Sequence, residues 1–91
     1  MIFILYICYM EKNQLNKEGY REGYWEGYHN NDVLGFKGNY KNGTFHGYWE
    51  WYTEDAVLFS KGHYINDKKV GFWEIYYPNG RIKLKKYYLV N

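Results

Sequence analysis

From residue 19 onward, apolar and polar residues alternate in short runs broken by turn residues, and no stretch keeps apolar spacings of three and four over a helical length. The stretch "GYWEWYTEDAVLFSK" (47–61) shows the pattern. Trp49, Trp51, Thr53, Leu58 and Ser60 fall on one side of a strand–turn–strand, and Tyr48, Glu50, Tyr52, Val57, Phe59 and Lys61 fall on the other. Its opening phrase, "GYWEWY", stands again at 23–28 ("GYWEGY") and at 71–76 ("GFWEIY"), so the chain repeats every 24 residues. Gly23, Gly47 and Gly71 align, as do Trp25, Trp49 and Trp73, then Glu26, Glu50 and Glu74, then Tyr28, Tyr52 and Tyr76. Lys37, Lys61 and Lys85, and Tyr40, Tyr64 and Tyr88, continue the columns.

Turn signals fall twice per repeat: "NND" (30–32), "EDA" (54–56) and "PNG" (78–80) in one series, "KEG" (17–19), "KNG" (41–43) and "IND" (65–67) in the other. Asn-Gly is the strongest of these, because a type I′ turn needs positive φ at both central residues. The pattern predicts an all-β fold, an elongated antiparallel meander of three 24-residue β-hairpin repeats at about 16–39, 40–63 and 64–87 with a C-terminal stub, together filling residues 13–91. Strands are expected near 24–29, 34–40, 48–53, 57–64, 72–77 and 81–88.

Two-residue turns at 79–80, 55–56 and 31–32 set a register. Glu74 then faces Lys85, Glu50 faces Lys61 and Glu26 faces Lys37, each pair contributing about 0.2–1 kcal/mol. Tyr76 faces Lys83, Tyr52 faces Phe59, and Trp73 faces Lys86. Trp25 and Trp49 face Gly38 and Gly62, with each ring expected to lie over its facing glycine. A sheet one layer thick carrying large aromatics on both faces is expected to curl, with Gly23, Gly47 and Gly71 at the bends and some aromatic surface left exposed.

Composition narrows the function. Ninety-one residues allow one domain, and an aromatic share of 24% with ten glycines favours sheet over helix. A net charge of +2 is too weak to imply nucleic acid. Cys8 is the only cysteine, so no disulfide forms within the chain. Residues 1–10 are apolar but too few to span a bilayer, and they lack the basic start and small residues of a signal peptide. The segment 1–12 reads as a strand capping the first repeat or as a leader before a start at Met10, and a cytoplasmic location is expected.

No residues carry a catalytic pattern. His29, His46 and His63 are 17 residues apart, in apparent turn or linker positions, with no cysteine cluster beside them. Ser60, His63 and Asp67 have the residue types of a hydrolase triad without the strand-to-helix elbow. Glu26, Glu50 and Glu74 fit structural pairing better than acid catalysis. The expectation is a protein that is not an enzyme and has no catalytic, cofactor or metal site.

The phrase "G-x-W-E-x-Y-x-x-N-G-x-I", complete from Gly71 to Ile82, resembles the MORN repeat (membrane occupation and recognition nexus). With "YKNGTFHGYW" (40–49) between hairpins, it is more similar to a bacterial variant assigned to antitoxins of toxin–antitoxin systems. Asp32 and Ala56 depart from the pattern at the turn glycine, Asp67 departs at the linker glycine, and Gly27 stands where Trp51 and Ile75 do. The resemblance implies a non-catalytic module that binds a protein partner, sequestering it as an antitoxin does or scaffolding it; the alternative it leaves is a scaffold at a membrane or anionic lipid surface.

The third repeat departs in charge. Where the second has Val57, Phe59 and Lys61, the third has Arg81, Lys83 and Lys85, and Lys86 replaces the glycine seen at Gly38 and Gly62. These cations, with Tyr76, Tyr87 and Tyr88, form the candidate surface for an acidic protein partner. The competing reading is a polar cap that deters pairing at the sheet edge, through which copies of the chain would otherwise self-associate.

Overall fold

The turns fold the chain into one open sheet. The computed structural model describes residues 12–90, so the apolar run 1–10 lies outside the described residues. Seven strands follow in chain order: β1 (Gln14–Leu15), β2 (Arg21–Tyr28), β3 (Leu34–Lys41), β4 (Thr44–Tyr52), β5 (Leu58–Ile65), β6 (Lys68–Tyr76) and β7 (Ile82–Tyr88). Each pairs antiparallel with the next, and β1 does not meet β7. The fold is therefore an all-β meander, with no helix among the described residues. β4 and β6 begin four residues before the predicted starts, since 41–43 and 65–67 are hairpin turns in their own right.

Two turn types alternate. Asn42-Gly43 and Asn66-Asp67 have positive φ at both residues (51° and 85°, 49° and 70°), the geometry of type I′. Asp67 is not glycine, and its carboxylate compensates: Oδ1 accepts from the Phe45 amide at 2.6 Å while its own amide donates to the Phe45 carbonyl at 3.0 Å. The other turns are longer than predicted. At 30–32, 54–56 and 78–80 three residues form the loop, and only the third (Asp32, Ala56, Gly80) has positive φ. Asn79-Gly80 is thus not a type I′ turn. Residues 17–19 take this three-residue form too, although they share phase with 41–43.

The extra loop residue shifts the pairing next to the turn, so Tyr52 meets Leu58 and Tyr76 meets Ile82 instead of Phe59 and Lys83. A bulge between residues 51 and 52, or 75 and 76, then restores the predicted register. Trp25 faces Gly38, Trp49 faces Gly62, Trp73 faces Lys86, and each repeat's Glu faces its Lys. A larger irregularity marks each inter-repeat hairpin, where the register moves between Lys37 and Asn39 and between Lys61 and His63. The partner strand carries Gly47 (φ +79°) or Gly71 (φ +70°) there, a conformation costly for residues with a Cβ.

These bends determine how the inner face buries itself. Trp49 lies flat against β3, where a Cβ on Gly38 would come within 2.2 Å of the indole, and Trp73 lies in the same way on Gly62. The glycine beneath each ring therefore belongs to the preceding repeat, not to the hairpin partner as the register suggested. Each indole N–H donates to a carbonyl at the irregularity, Trp49 to Asn39 at 2.9 Å and Trp73 to His63 at 3.0 Å. Tyr40, Trp49, Tyr64 and Trp73 form the buried core, with Phe36, Phe45 and Trp51 packed against it, and Trp49 is 0% exposed. Gly27 is explained by its partner: the Phe36 ring fills the space its side chain would take, whereas Trp51 pairs with Ser60 and Ile75 with Leu84.

This packing predicts two stability changes. Trp49→Ala is expected to cost about 3–5 kcal/mol, more than Trp73→Ala and much more than Trp25→Ala at its half-buried site; equal losses of melting temperature across the three variants would contradict the burial order. Ala56→Gly removes a left-handed alanine (φ 66°) and is expected to gain about 0.5–1 kcal/mol in denaturant unfolding.

Candidate binding surface

On the outer face, strand alternation lines up one row of charges across the sheet. Glu26 of β2, Lys37 of β3, Glu50 of β4, Lys61 of β5, Glu74 of β6 and Lys85 of β7 are register neighbours in turn. Lys12 closes the row at the other end, 2.9 Å from Glu26. The interior lysines pair between repeats: Lys37 reaches Glu50 at 3.3 Å and Lys61 reaches Glu74 at 3.5 Å, rather than the hairpin partners Glu26 and Glu50. Only Lys85 contacts its hairpin partner, Glu74, at 3.9 Å.

Tyrosines two residues away brace each carboxylate. Tyr24 and Tyr28 donate to Glu26 at 2.8 and 2.7 Å, Tyr48 at 2.7 Å and Tyr52 donate to Glu50, and Tyr76 donates to Glu74 at 2.6 Å. Phe72 stands where Tyr24 and Tyr48 do and has no hydroxyl to give. Lys85 takes up that role, reaching Glu74 while lying 5.1 Å from the Phe72 ring centre.

Titration is shaped by this bracing. Hydrogen bonds, from Tyr28 first and then Lys12 and Tyr24, hold Glu26 down to about 2. For Glu50, burial acts to raise the carboxyl, but hydrogen bonds from Tyr52, Tyr48 and Lys37 outweigh it and leave it lowered. The Tyr76 hydroxyl foremost, with Lys61 and Lys85, lowers Glu74. Burial and then the neighbouring carboxylate push Tyr24 and Tyr48 well above the usual phenol range and Tyr52 up to about 12.

The residues singled out for partner binding divide between the faces. Lys83, Lys85 and Tyr87 lie outward with Tyr76, and Tyr87 packs edge-on against Phe72 at 4.8 Å. Phe72 and Tyr87 are 61% and 53% exposed. Arg81 sits at the turn just before β7. Lys86 and Tyr88 face inward, stacked on each other at 5.0 Å beside Trp73. The outward group therefore gains Phe72, which the sequence pattern alone did not single out; its phase match to Tyr24 and Tyr48 was the available signal.

Charge is unevenly spread along the chain. Residues 68–91 carry six of the twelve cations and a single acid, Glu74, while residues 1–67 carry the other six and nine acids.

The other candidates do not assemble. Ser60 and His63 lie on opposite faces of β5, and Asp67 is engaged by Phe45. His46 and His63 stand within strands rather than in turns, and His29 bonds the Tyr52 carbonyl at 2.8 Å. Among the described residues no group of three or more His, Cys, Asp or Glu is placed to hold a metal ion, and no helix is long and apolar enough to cross a membrane. No protein-family model, curated protein or solved structure matches the chain.

The pKa shifts predict stability at both ends of the pH scale. A carboxyl lowered by folding adds stability above its unfolded value of 4.5, and this is lost as pH falls through the folded value, about 2 for Glu26. A phenol raised by folding adds stability below its unfolded value of 10.0, and this is lost as pH rises toward about 12 at Tyr52. Melting temperature is expected to hold level between the unfolded values of 4.5 and 10.0, falling as pH drops from 4.5 toward about 2 and as it rises from 10.0 toward about 12. In Glu26→Gln the fall on the acid side should be shallower; an unchanged acid limb would show that Glu26 is not the group responsible.

Proposed function

We propose that the chain is a MORN-type repeat protein without catalytic activity, whose C-terminal hairpin holds an acidic protein surface. The observation carrying this reading is the outward cluster of Lys83, Lys85, Phe72 and Tyr87 on β6 and β7, within a segment that has six cations and one acid. Exposed rings supply anchoring area, and the excess of cations over acids supplies steering. The 24-residue phase matching one hairpin and one connecting turn per period supports the MORN-type assignment. Sequestration of the partner, as an antitoxin performs it, and scaffolding are both served by such a surface. The same cation-rich segment also exposes Ile82, Leu89 and Val90, which favours the second reading, association with an anionic lipid surface.

One set of variants separates the readings. A photocrosslinker at Tyr87 in the cells that make the protein is expected to capture a protein with an acidic surface. Substituting Arg81, Lys83 and Lys85 with Ser together should abolish that capture and weaken the salt dependence of binding, with the melting temperature nearly unchanged. Flotation with acidic vesicles that is lost in the same triple variant, without a protein crosslink, would replace the first reading by the second.

A further inference from the structure

We propose that β7 accepts a β-strand from that acidic partner, in the register that places a partner carboxylate beside Lys85. The proposal rests on the acidic-partner reading and specifies how the partner is held.

The outer row supplies the register. Lys37 stands between Glu26 and Glu50, and Lys61 between Glu50 and Glu74, so each interior lysine has a carboxylate on both neighbouring strands. Lys85 has Glu74 alone, at 3.9 Å, the longest of the four ion pairs found among the described residues. The next position in the row calls for an acid. At the other end the alternation is already complete, because Lys12 sits on Glu26.

The backbone shows the same asymmetry. β2 is covered at its outer edge by β1 and, beyond it, by Asn13. The Asn13 amide donates to the Tyr24 carbonyl at 2.9 Å, its side-chain amide donates to the Glu26 carbonyl at 3.2 Å, and its Oδ1 accepts from the Glu26 amide at 2.8 Å. Among the described residues β7 has no strand on its outer side. An edge of this kind presents unpaired N–H and C=O groups to any chain that can match it.

The inner face decides what kind of strand fits. Gly38 and Gly62 make room for the tryptophan of the following strand, but Lys86 occupies the corresponding place on β7, stacked on Tyr88. A strand bearing a tryptophan there is refused, and this excludes a second copy docking through β2 with Trp25. Leu84, 48% exposed beside Ile75, offers an apolar contact one position away from Lys85. The occupant is a strand of another protein with an acid at Lys85, an apolar residue at Leu84 and a small or acidic residue at Lys86. Edge lysines that repel most strands then select this one.

The probe is a short blocked peptide of strand-forming residues, with a central glutamate and a tyrosine two residues to either side, alongside its glutamine twin and a version N-methylated at alternate amides. Binding to the full chain is read by fluorescence anisotropy and amide hydrogen exchange over residues 82–88. The glutamate peptide is expected to bind about two- to fivefold more tightly than the glutamine twin at low salt, to slow exchange along β7, and to lose the difference in Lys85→Gln. N-methylation should abolish binding. If the glutamate peptide binds but exchange along β7 is unchanged and N-methylation has no effect, strand addition is overturned while the acidic-partner reading survives. Equal binding of the two peptides overturns the register at Lys85. A wild-type dimer in sedimentation that dissociates in Lys85→Gln overturns the choice of a foreign strand.

Discussion

A tryptophan lying flat on the glycine of the preceding repeat is the contact on which this structure depends. A single-layer sheet has no second layer to cover its apolar face, so its large side chains must be covered by neighbours in the same row. Trp49 achieves this by occupying the space above Gly38, with Tyr40, Phe45, Trp51 and Tyr64 closing around it. A buried ring of this size removes about 150–250 Å² from water, worth roughly 4–6 kcal/mol as an upper bound. An exposed ion pair contributes about 0–1 kcal/mol. The tryptophans therefore set the stability, and the glycines, bulges and positive-φ bends are what allow them to lie down.

The outer face solves a different problem. Charged and phenolic groups there remain near water, so they add little stability each, but they restrict which strands can be neighbours. Glutamate on even-numbered strands from β2 to β6 and lysine on odd-numbered strands from β3 to β7 make a slip of one strand place like charges opposite each other. Where one element of the pattern fails, another compensates: Phe72 cannot donate to Glu74, and Lys85 moves in beside both. At the ends of the inner row, Arg21 lies over Trp25 and Tyr40, and Lys69 lies over Trp73 and Tyr88, at the phase positions of Phe45. Cations thus cover the two ends of the aromatic row among the described residues, at positions where Phe45 supplies a ring in the middle.

The period, the hairpins and the Glu–Lys alignment were legible in the sequence because each leaves a residue at a fixed interval. The predicted register survives a wrong turn. The two-residue loop expected at 55–56 is a three-residue loop, and the bulge between Trp51 and Tyr52 cancels the difference before Glu50 is reached. Nothing in composition announces that bulge, and Ala56 in a left-handed conformation hides the loop type further. The direction in which each tryptophan leans was illegible for a related reason. Register says which residue stands opposite, but the ring crosses to the other neighbouring strand, and only the irregularity at Gly47 or Gly71 brings it there. For the candidate surface, charge was visible along the chain while the split of Lys86 and Tyr88 from Lys83 and Lys85 required only the period of two.

That split bears on what Lys86 is for. Had it faced outward with Lys83 and Lys85, it would be one more cation in a field. Facing inward, at the place of Gly38 and Gly62, it fills the seat that every interior pair of repeats uses to join. One residue thus interrupts the tryptophan-on-glycine pattern on β7 without disturbing the outer row, which carries Lys85 there. On the proposed reading, the two faces of β7 give different instructions to an incoming strand: the inner face, filled by Lys86, refuses another repeat of this kind, and the outer face, where Lys85 has Glu74 on one side, asks for an acid. A polar cap made only for solubility needs the first instruction, and any mixture of charges outside would serve it. The uniform sign at Lys83 and Lys85, next to exposed Phe72 and Tyr87, goes beyond that need and is what the proposed acidic strand would read.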